Sequence, residues 1–133
     1  MTLYLDSSAA VKLVWHEPET VHLLAFLASR TGVEDSIRSC HLAETELRRA
    51  ATRKGVGQEQ VTTALNGFDL IDVPREMFHS AGLLPGSTLR SLDALHIAVA
   101  LRTDAEWFVT YDQRQAAAAR SCGLQVASPD GGD

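Results

Sequence analysis

Short apolar runs alternate with helical patterns along almost all of this 133-residue chain. The apolar runs have the length of strands, and the segments between them have the apolar spacing of helices. The alternation predicts strands at 2–6, 35–40, 70–73, 107–111 and 124–127, and helices at 7–16, 18–30, 42–55, 58–68, 75–84, 91–102 and 113–122. Because parallel strands are joined by helical crossovers, we expect an α/β fold, a three-layer α/β/α sandwich with a central, mainly parallel sheet.

An aspartate follows each of the two most continuously apolar runs, Asp6 after the first and Asp112 after 107–111. Strands this apolar are buried on both faces, so they should lie centrally. Ligands bind at the carboxyl ends of strands in such sheets, which would bring both aspartates to one site. The alternative is that each only caps the next helix, and Asp112 has capping-box spacing to Gln115. Thr110 should face the same side of its strand as Asp112.

A third acid, Asp93, lies in the first turn of the most apolar predicted helix. A negative charge near a helix N-terminus is favourable by only about 0.3–1 kcal/mol. Burying an unpaired carboxylate costs several times more, so helix polarity does not account for Asp93. The residue needs a cation or a hydrogen-bonding partner, and His96, one turn further on, is the alternative partner.

A fourth acid, Glu46, flanks the apolar stripe of the helix predicted over 42–55. Arg49 and Arg53 follow on the same side, and a surface Glu–Arg pair is one interpretation of this spacing. In a site that binds nucleic acid the two arginines are candidates for phosphate contacts; otherwise they are solubilising surface charge. Glu44 points elsewhere and is interpreted as a solvated helix residue.

Four carboxylates without histidine or thiolate partners suit hard ions that prefer oxygen, such as Mg²⁺ or Mn²⁺. The five histidines have no zinc-binding spacing, and no glycine-rich phosphate-binding motif indicates a nucleotide cofactor. The formal net charge of −5 argues by itself against a nucleic-acid partner. Two divalent ions would bring four positive charges and leave −1, so the charge does not exclude a nuclease.

The length and the composition predict one domain over 1–127 and a flexible C-terminal tail over 128–133. No stretch approaches the roughly 20 uninterrupted apolar residues of a membrane span. We expect no signal peptide, because Asp6 and Lys12 interrupt the only N-terminal apolar run. Cys40 and Cys122 lie far apart and belong to no C-x-x-C motif, which predicts reduced thiols in a cytoplasmic protein.

Four segments resemble the motifs of the PIN-domain family and, within it, the VapC toxins of VapBC toxin–antitoxin pairs. They are YLDSSAAVK, LAETELRRA, LRSLDALHIAVAL and FVTYDQR. The resemblance covers residues 3 to about 118 in the family's order. It places the family's acids on Asp6, Glu46, Asp93 and Asp112. Glu44 is the alternative to Glu46.

The resemblance implies an endoribonuclease that depends on Mg²⁺ or Mn²⁺ and cleaves structured RNA, often tRNA or rRNA, thereby inhibiting translation. It also implies a VapB-like antitoxin and a homodimer. The four acids would be both the metal ligands and the catalytic residues, with one or two ions. Ser7 and Thr110 would position water or support the ligands. Residues 21–28 are a candidate dimer face, with core packing as the alternative.

Two other classes of function remain open at this stage. A phosphoryl-accepting receiver domain also gathers aspartates at strand ends, but it carries a paired acidic dipeptide early and a lysine late in the chain. Here the first strand has a single aspartate, and no lysine follows Lys54. A non-catalytic protein that keeps the fold and binds RNA or a protein partner is the other alternative.

Overall fold

The structure, a computed structural model, describes residues 2–32 and 36–132. In these residues five parallel strands form one sheet, in the order β3-β2-β1-β4-β5. The strands are β1 (Leu3–Leu5), β2 (Ile37–Cys40), β3 (Phe68–Ile71), β4 (Trp107–Val109) and β5 (Val126–Ala127). The prediction that the first strand and the strand within 107–111 lie inside the sheet is confirmed, since β1 and β4 are neighbours with a further strand on each side.

Seven α-helices connect and cover these strands in the described residues. They are α1 (Ser7–Ala10), α2 (Thr20–Arg30), α3 (Leu42–Lys54), α4 (Gln58–Leu65), α5 (Arg75–Gly82), α6 (Ser91–Arg102) and α7 (Gln113–Ser121). Every predicted strand and helix is present, although several bounds differ. No helix in the described ranges is long and apolar enough to span a bilayer.

The sheet is buried on both faces, as its apolar strands require. Leu3 and Leu5 of β1 point to one face and pack with α2. Tyr4 points to the other face and stacks on Phe108 of β4, with ring centroids 5.6 Å apart, in the core formed with α5, α6 and α7. Helices therefore cover both faces, which confirms the three-layer α/β/α arrangement.

The helix predicted over 7–16 is shorter than expected. It ends at Ala10 and continues as a 3₁₀ turn, Val11–Leu13. The hydroxyl of Thr20 takes the Lys12 carbonyl as its acceptor, at 2.9 Å, and so competes with a longer helix for that group. The helix predicted from residue 18 accordingly begins at Thr20, and Pro18 precedes it rather than lying in its first turn.

The boundary between 58–68 and 70–73 was also predicted wrongly. Helix α4 ends at Leu65, and the next strand already begins at Phe68. Phe68 is apolar and satisfies the helical spacing, but in the structure it pairs with Ile37 of β2 and packs in the core. Residue 35, the predicted start of β2, lies outside the described residues.

The end of the chain packs beside β4. The Ser128 hydroxyl donates to the carbonyl of Thr110, and the Tyr111 hydroxyl donates to the carbonyl of Pro129 at 2.7 Å. The division into a domain over 1–127 and a tail stays a prediction. Cys40 and Cys122 are free thiols, as the sequence predicts.

Gly55 ends α3 in the left-handed conformation, with φ +80° and its N–H bonded to the carbonyl of Ala51. A Cβ at this position would meet no atom within 4 Å, so alanine would be disfavoured only by its backbone conformation. Gly55→Ala should therefore lower the free energy of unfolding by about 1 kcal/mol. Gly82→Ala is the control, because Gly82 is helical and its Cβ would also be free of contacts. Chemical denaturation should show no loss for that variant; an equal loss in both would contradict the explanation.

Candidate functional site

The carboxyl ends of the two neighbouring central strands deliver Asp6 and Thr110 to the same place. Leu5 pairs with Val109, so the residues that follow them, Asp6 and Thr110, lie side by side where the two strands end. Asp6 is 3% exposed, and its carboxylate accepts hydrogen bonds from Thr110 Oγ1 at 2.6 Å and Ser8 Oγ at 2.7 Å. It also accepts from the Ala9 N–H at 3.1 Å, so Asp6 caps α1 as the alternative interpretation expected.

Burial raises the pKa of Asp6 above its ordinary value, because a charged carboxylate loses water there. The charge of His96 and the hydrogen bonds from Thr110 and Ser8 oppose this effect. The donors on both sides hold the Asp6 carboxylate in one orientation. A fixed metal ligand and a structural helix cap both require such an orientation.

Asp112 begins α7 two residues after Thr110. Its Oδ1 accepts hydrogen bonds from the backbone N–H groups of Arg114 at 2.9 Å and Gln115 at 3.2 Å, so it is also a helix cap. The capping box is incomplete, because the Gln115 side chain donates instead to the Asp93 carbonyl at 3.1 Å. This contact ties the beginning of α7 to the first turn of α6.

Glu46 lies on α3, and its hydrogen bonds are to α1 and α6 rather than to the arginines that follow it. Its Oε2 accepts from Ser7 Oγ at 3.1 Å, and its Oε1 lies 2.7 Å from Nε2 of His96. The surface Glu–Arg pair belongs to Glu44, whose carboxylate lies 3.0 Å from Nε of Arg48. Of the two glutamates, Glu46 is therefore the one that lies near Asp6 and α6.

His96 connects the acids to the buried core. It is fully buried, and its Nδ1 lies 2.8 Å from the Tyr4 hydroxyl and 3.7 Å from Cys40 Sγ. Burial lowers the pKa of His96, but the contacts with Cys40 and Glu46 outweigh it and raise the value to about 10. Sequence reasoning had offered His96 as the partner of Asp93; within the described residues it is bonded to Glu46 instead, because it projects across the interface between α6 and α3.

The half-buried carboxylate of Asp93 has no hydrogen bond or ion pair with residues 2–32 or 36–132. Burial and the negative charge of Asp112 raise the pKa of Asp93 above its usual value, and the charge of Glu46 adds to this. His96 and Arg90 act in the opposite direction. Asp93 thus stands among acidic groups with no cation in contact.

The donor set has the chemistry that Mg²⁺ and Mn²⁺ prefer. It consists of four carboxylates, of which Asp93 is unpaired, and the oxygens of Asp6 and Glu46 are oriented by hydroxyl and imidazole donors. In the part of the chain that the structure describes, however, no three acidic, histidine or cysteine side chains already stand close enough to hold an ion. Hydrogen bonds orient Asp6, Glu46 and Asp112 separately, and the four acids do not form a ready-made ligand group.

Two cavities adjoin the acids. One, of about 500 Å³, is lined by Glu46, Ser7, Arg49 and Arg53 and is here named the Glu46 cavity. The other, of about 560 Å³, is lined by Asp93, Asp112, Arg90 and Arg114 and is here named the Asp93 cavity. Arg49 and Arg53 were predicted to lie beside Glu46. Sequence reasoning missed Arg90 and Arg114, whose only signal was their nearness in sequence to two of the acids.

Together the fold and the site define a parallel three-layer α/β protein with acidic side chains at the carboxyl ends of its central strands. The family model of the PIN domain matches residues 3–121 of this chain. The chain belongs to the PIN-domain family. A receiver domain is thereby excluded as an alternative.

Individual relatives agree with this assignment. Ribonuclease VapC47 of Mycobacterium tuberculosis is 37% identical over 131 residues, which cover 96% of each chain. The structure of VapC20 of Mycobacterium tuberculosis, described as a Sarcin-Ricin loop cleaving toxin, matches with a TM-score of 0.71 at 14% identity, over 87% of this chain and 94% of that one. VapBC2 of Rickettsia felis, solved with a DNA fragment from their promoter, has a TM-score of 0.66 at 19% identity, over 98% of this chain and 100% of the other. At these identities, the two structures are evidence for the fold alone.

Proposed function

We propose that this protein is a metal-dependent endoribonuclease and the toxin of a type II toxin–antitoxin pair. The observation that carries the proposal is the unpaired, half-buried carboxylate of Asp93 beside Asp112 and Glu46, whose charges raise its pKa. Such a group is unfavourable by itself and becomes favourable when a cation binds. The ribonuclease names of relatives such as VapC47, which match along nearly their whole length, support the same activity.

Asp6, Glu46, Asp93 and Asp112 would hold one or two Mg²⁺ or Mn²⁺ ions. A bound ion of this kind lowers the pKa of a coordinated water and neutralises charge on a phosphate. Thr110 and Ser8 fix the Asp6 carboxylate, while Ser7 fixes that of Glu46. Arg49 and Arg53, exposed beside Glu46, would contact phosphates of the RNA.

The substrate class that we propose is structured RNA, such as tRNA or rRNA, so that cleavage would inhibit translation. VapC20, which shares the fold, is described as cleaving the Sarcin-Ricin loop. We also propose a VapB-like antitoxin as partner, because the VapBC2 structure contains a chain of the same fold. We further propose a cytoplasmic location and a homodimer. Val21 and Leu24 are exposed on α2, which supports a dimer face within 21–28.

Cleavage of RNA by the purified chain tests the activity and its metal dependence together. Bulk tRNA and rRNA should be cut in Mg²⁺ or Mn²⁺, and EDTA should reduce cleavage to background, because without an ion nothing would lower the pKa of the attacking water. Restoring the metal should restore the activity. Gel electrophoresis of the products is the measurement.

One observation favours a non-catalytic RNA-binding or protein-binding module as the second candidate. Asp6 and Asp112 already serve as helix caps, which is a sufficient structural role for both. Intact RNA after incubation with either metal would support this module and contradict the nuclease. Equal cleavage in EDTA would contradict the metal dependence alone.

A further inference from the structure

The Asp93 cavity carries two arginines that neither the fold nor the proposed chemistry has used. Arg90 and Arg114 are exposed and line it together with Asp93 and Asp112. Neither arginine makes an ion pair with any described residue, although Arg38, Arg48 and Arg102 elsewhere each pair with an acid. These two guanidinium groups are therefore free to bind an anion.

The position of both arginines is unfavourable for helix stability. Arg90 is the N-cap residue of α6, and Arg114 lies in the first turn of α7. The N-terminus of a helix carries a partial positive charge, so a cation there costs about 0.3–1 kcal/mol. Neither residue forms an ion pair with Asp93 or Asp112, although the charge of Arg90 attracts that of Asp93 and lowers its pKa, which offsets part of the cost for Arg90.

The two cavities adjoin consecutive residues of α6. Leu92 lines the Glu46 cavity, and the next residue, Asp93, lines the Asp93 cavity. The acids thus separate one pair of unpaired arginines, Arg49 and Arg53, from another, Arg90 and Arg114. A polynucleotide laid across the acids would present a phosphate to each pair, and guanidinium groups bind phosphate oxygens in a bidentate manner.

We infer that the Asp93 cavity is a phosphate-binding subsite, in which Arg90 and Arg114 hold the RNA backbone on the opposite side of the acids from Arg49 and Arg53. This inference rests on the proposed ribonuclease function. It also explains how a chain with a net charge of −5 binds RNA: the positive groups are few, but four of them flank the site.

The test compares two double variants that remove the same charge from the same two helices. Arg90→Gln/Arg114→Gln removes the pair at the N-terminal ends, and Arg102→Gln/Arg120→Gln removes one arginine from the last turn of each helix. Binding of a fluorescein-labelled RNA hairpin is measured by anisotropy in EDTA, over a series of salt concentrations, so that no cleavage occurs.

The first double variant should bind at least about tenfold more weakly, and its slope of log affinity against log salt should be smaller by about 1.4, as for two lost phosphate contacts on a single strand. The second should retain the slope of the unaltered protein. Melting temperatures check folding, and Arg90→Lys/Arg114→Lys, which keeps the charges, should keep most of the salt slope. If either glutamine variant fails to fold, the single variants Arg114→Gln and Arg120→Gln replace the pairs.

Equal affinities and slopes in the two double variants would overturn the subsite. If the unaltered protein still cleaves RNA in Mn²⁺, that result leaves the ribonuclease proposal standing. If the unaltered protein neither binds the hairpin nor cleaves RNA, both the ribonuclease and the subsite are overturned.

Discussion

Replacing Asp93 by asparagine should abolish RNA cleavage while leaving the fold intact. The carboxylate has no hydrogen bond to the described part of the protein, so the amide breaks no observed contact there. If Asp93 binds the metal, the loss in activity should exceed about 100-fold, because residues that merely orient metal ligands already contribute 10- to 100-fold. Cleavage assays in Mn²⁺ at matched protein concentration measure the effect.

The same substitution should stabilise the metal-free protein at neutral pH. The pKa of Asp93 is raised by burial and by Asp112, so the folded state holds the proton to a higher pH than the unfolded state does. Stability of the unaltered protein therefore decreases as the pH rises from about 4 through the raised pKa. Asp93→Asn removes the contribution of Asp93 to this decrease, and its melting temperature in EDTA should be higher at pH 7.

Asp104→Asn is the matched control, since Asp104 lies just beyond the other end of α6 and is exposed. Its backbone has φ 53°, a conformation that asparagine accepts. This variant should cleave RNA at the normal rate. Cleavage by Asp93→Asn equal to that of Asp104→Asn would remove Asp93 from the site.

His96→Leu should reduce both stability and activity. The change keeps a similar volume but deprives Glu46 and the Tyr4 hydroxyl of their partner, and breaking a buried ion pair costs about 3 kcal/mol. Cleavage should decrease by about 10- to 100-fold, because Glu46 would no longer be held in one orientation. Denaturant titration and cleavage rates, both measured well below the melting temperature, separate the two effects.

Tyr4→Phe is the graded control for His96. It removes only the hydroxyl that contacts Nδ1, at a cost of about 1 kcal/mol, and leaves the contact between His96 and Glu46 in place. Its activity should be close to normal. A His96→Leu protein as stable and as active as Tyr4→Phe would show that the imidazole does not support Glu46.

The fold could be predicted from the sequence because strand and helix patterns alternate so regularly. Asp6 was placed at a strand end, beside the other central strand, because an apolar run stops there and parallel strands end at one edge. The prediction failed where one residue suits two patterns. Phe68 continues the spacing of α4, yet the pairing with β2 and packing against the core place it in β3.

The contacts of the site were harder to predict, because they join elements that are remote in sequence. The partner of His96 depends on how α6 packs on α3, which spacing within α6 does not reveal. Gln115 has the spacing of a capping box with Asp112 but reaches across to α6 instead. Arg90 and Arg114 become a pair only once the beginnings of two helices are brought together.

Titration of the metal-free protein with Mn²⁺ by calorimetry tests the central claim most directly. The four acids do not yet form a ligand group in the absence of a cation, so the claim depends on whether a cation binds to them. We predict that Mn²⁺ binds the unaltered protein near neutral pH, and that Asp93→Asn binds it at least tenfold more weakly. Absence of binding to the unaltered protein, or equal binding to the two proteins, would contradict a metal site formed by Asp6, Glu46, Asp93 and Asp112.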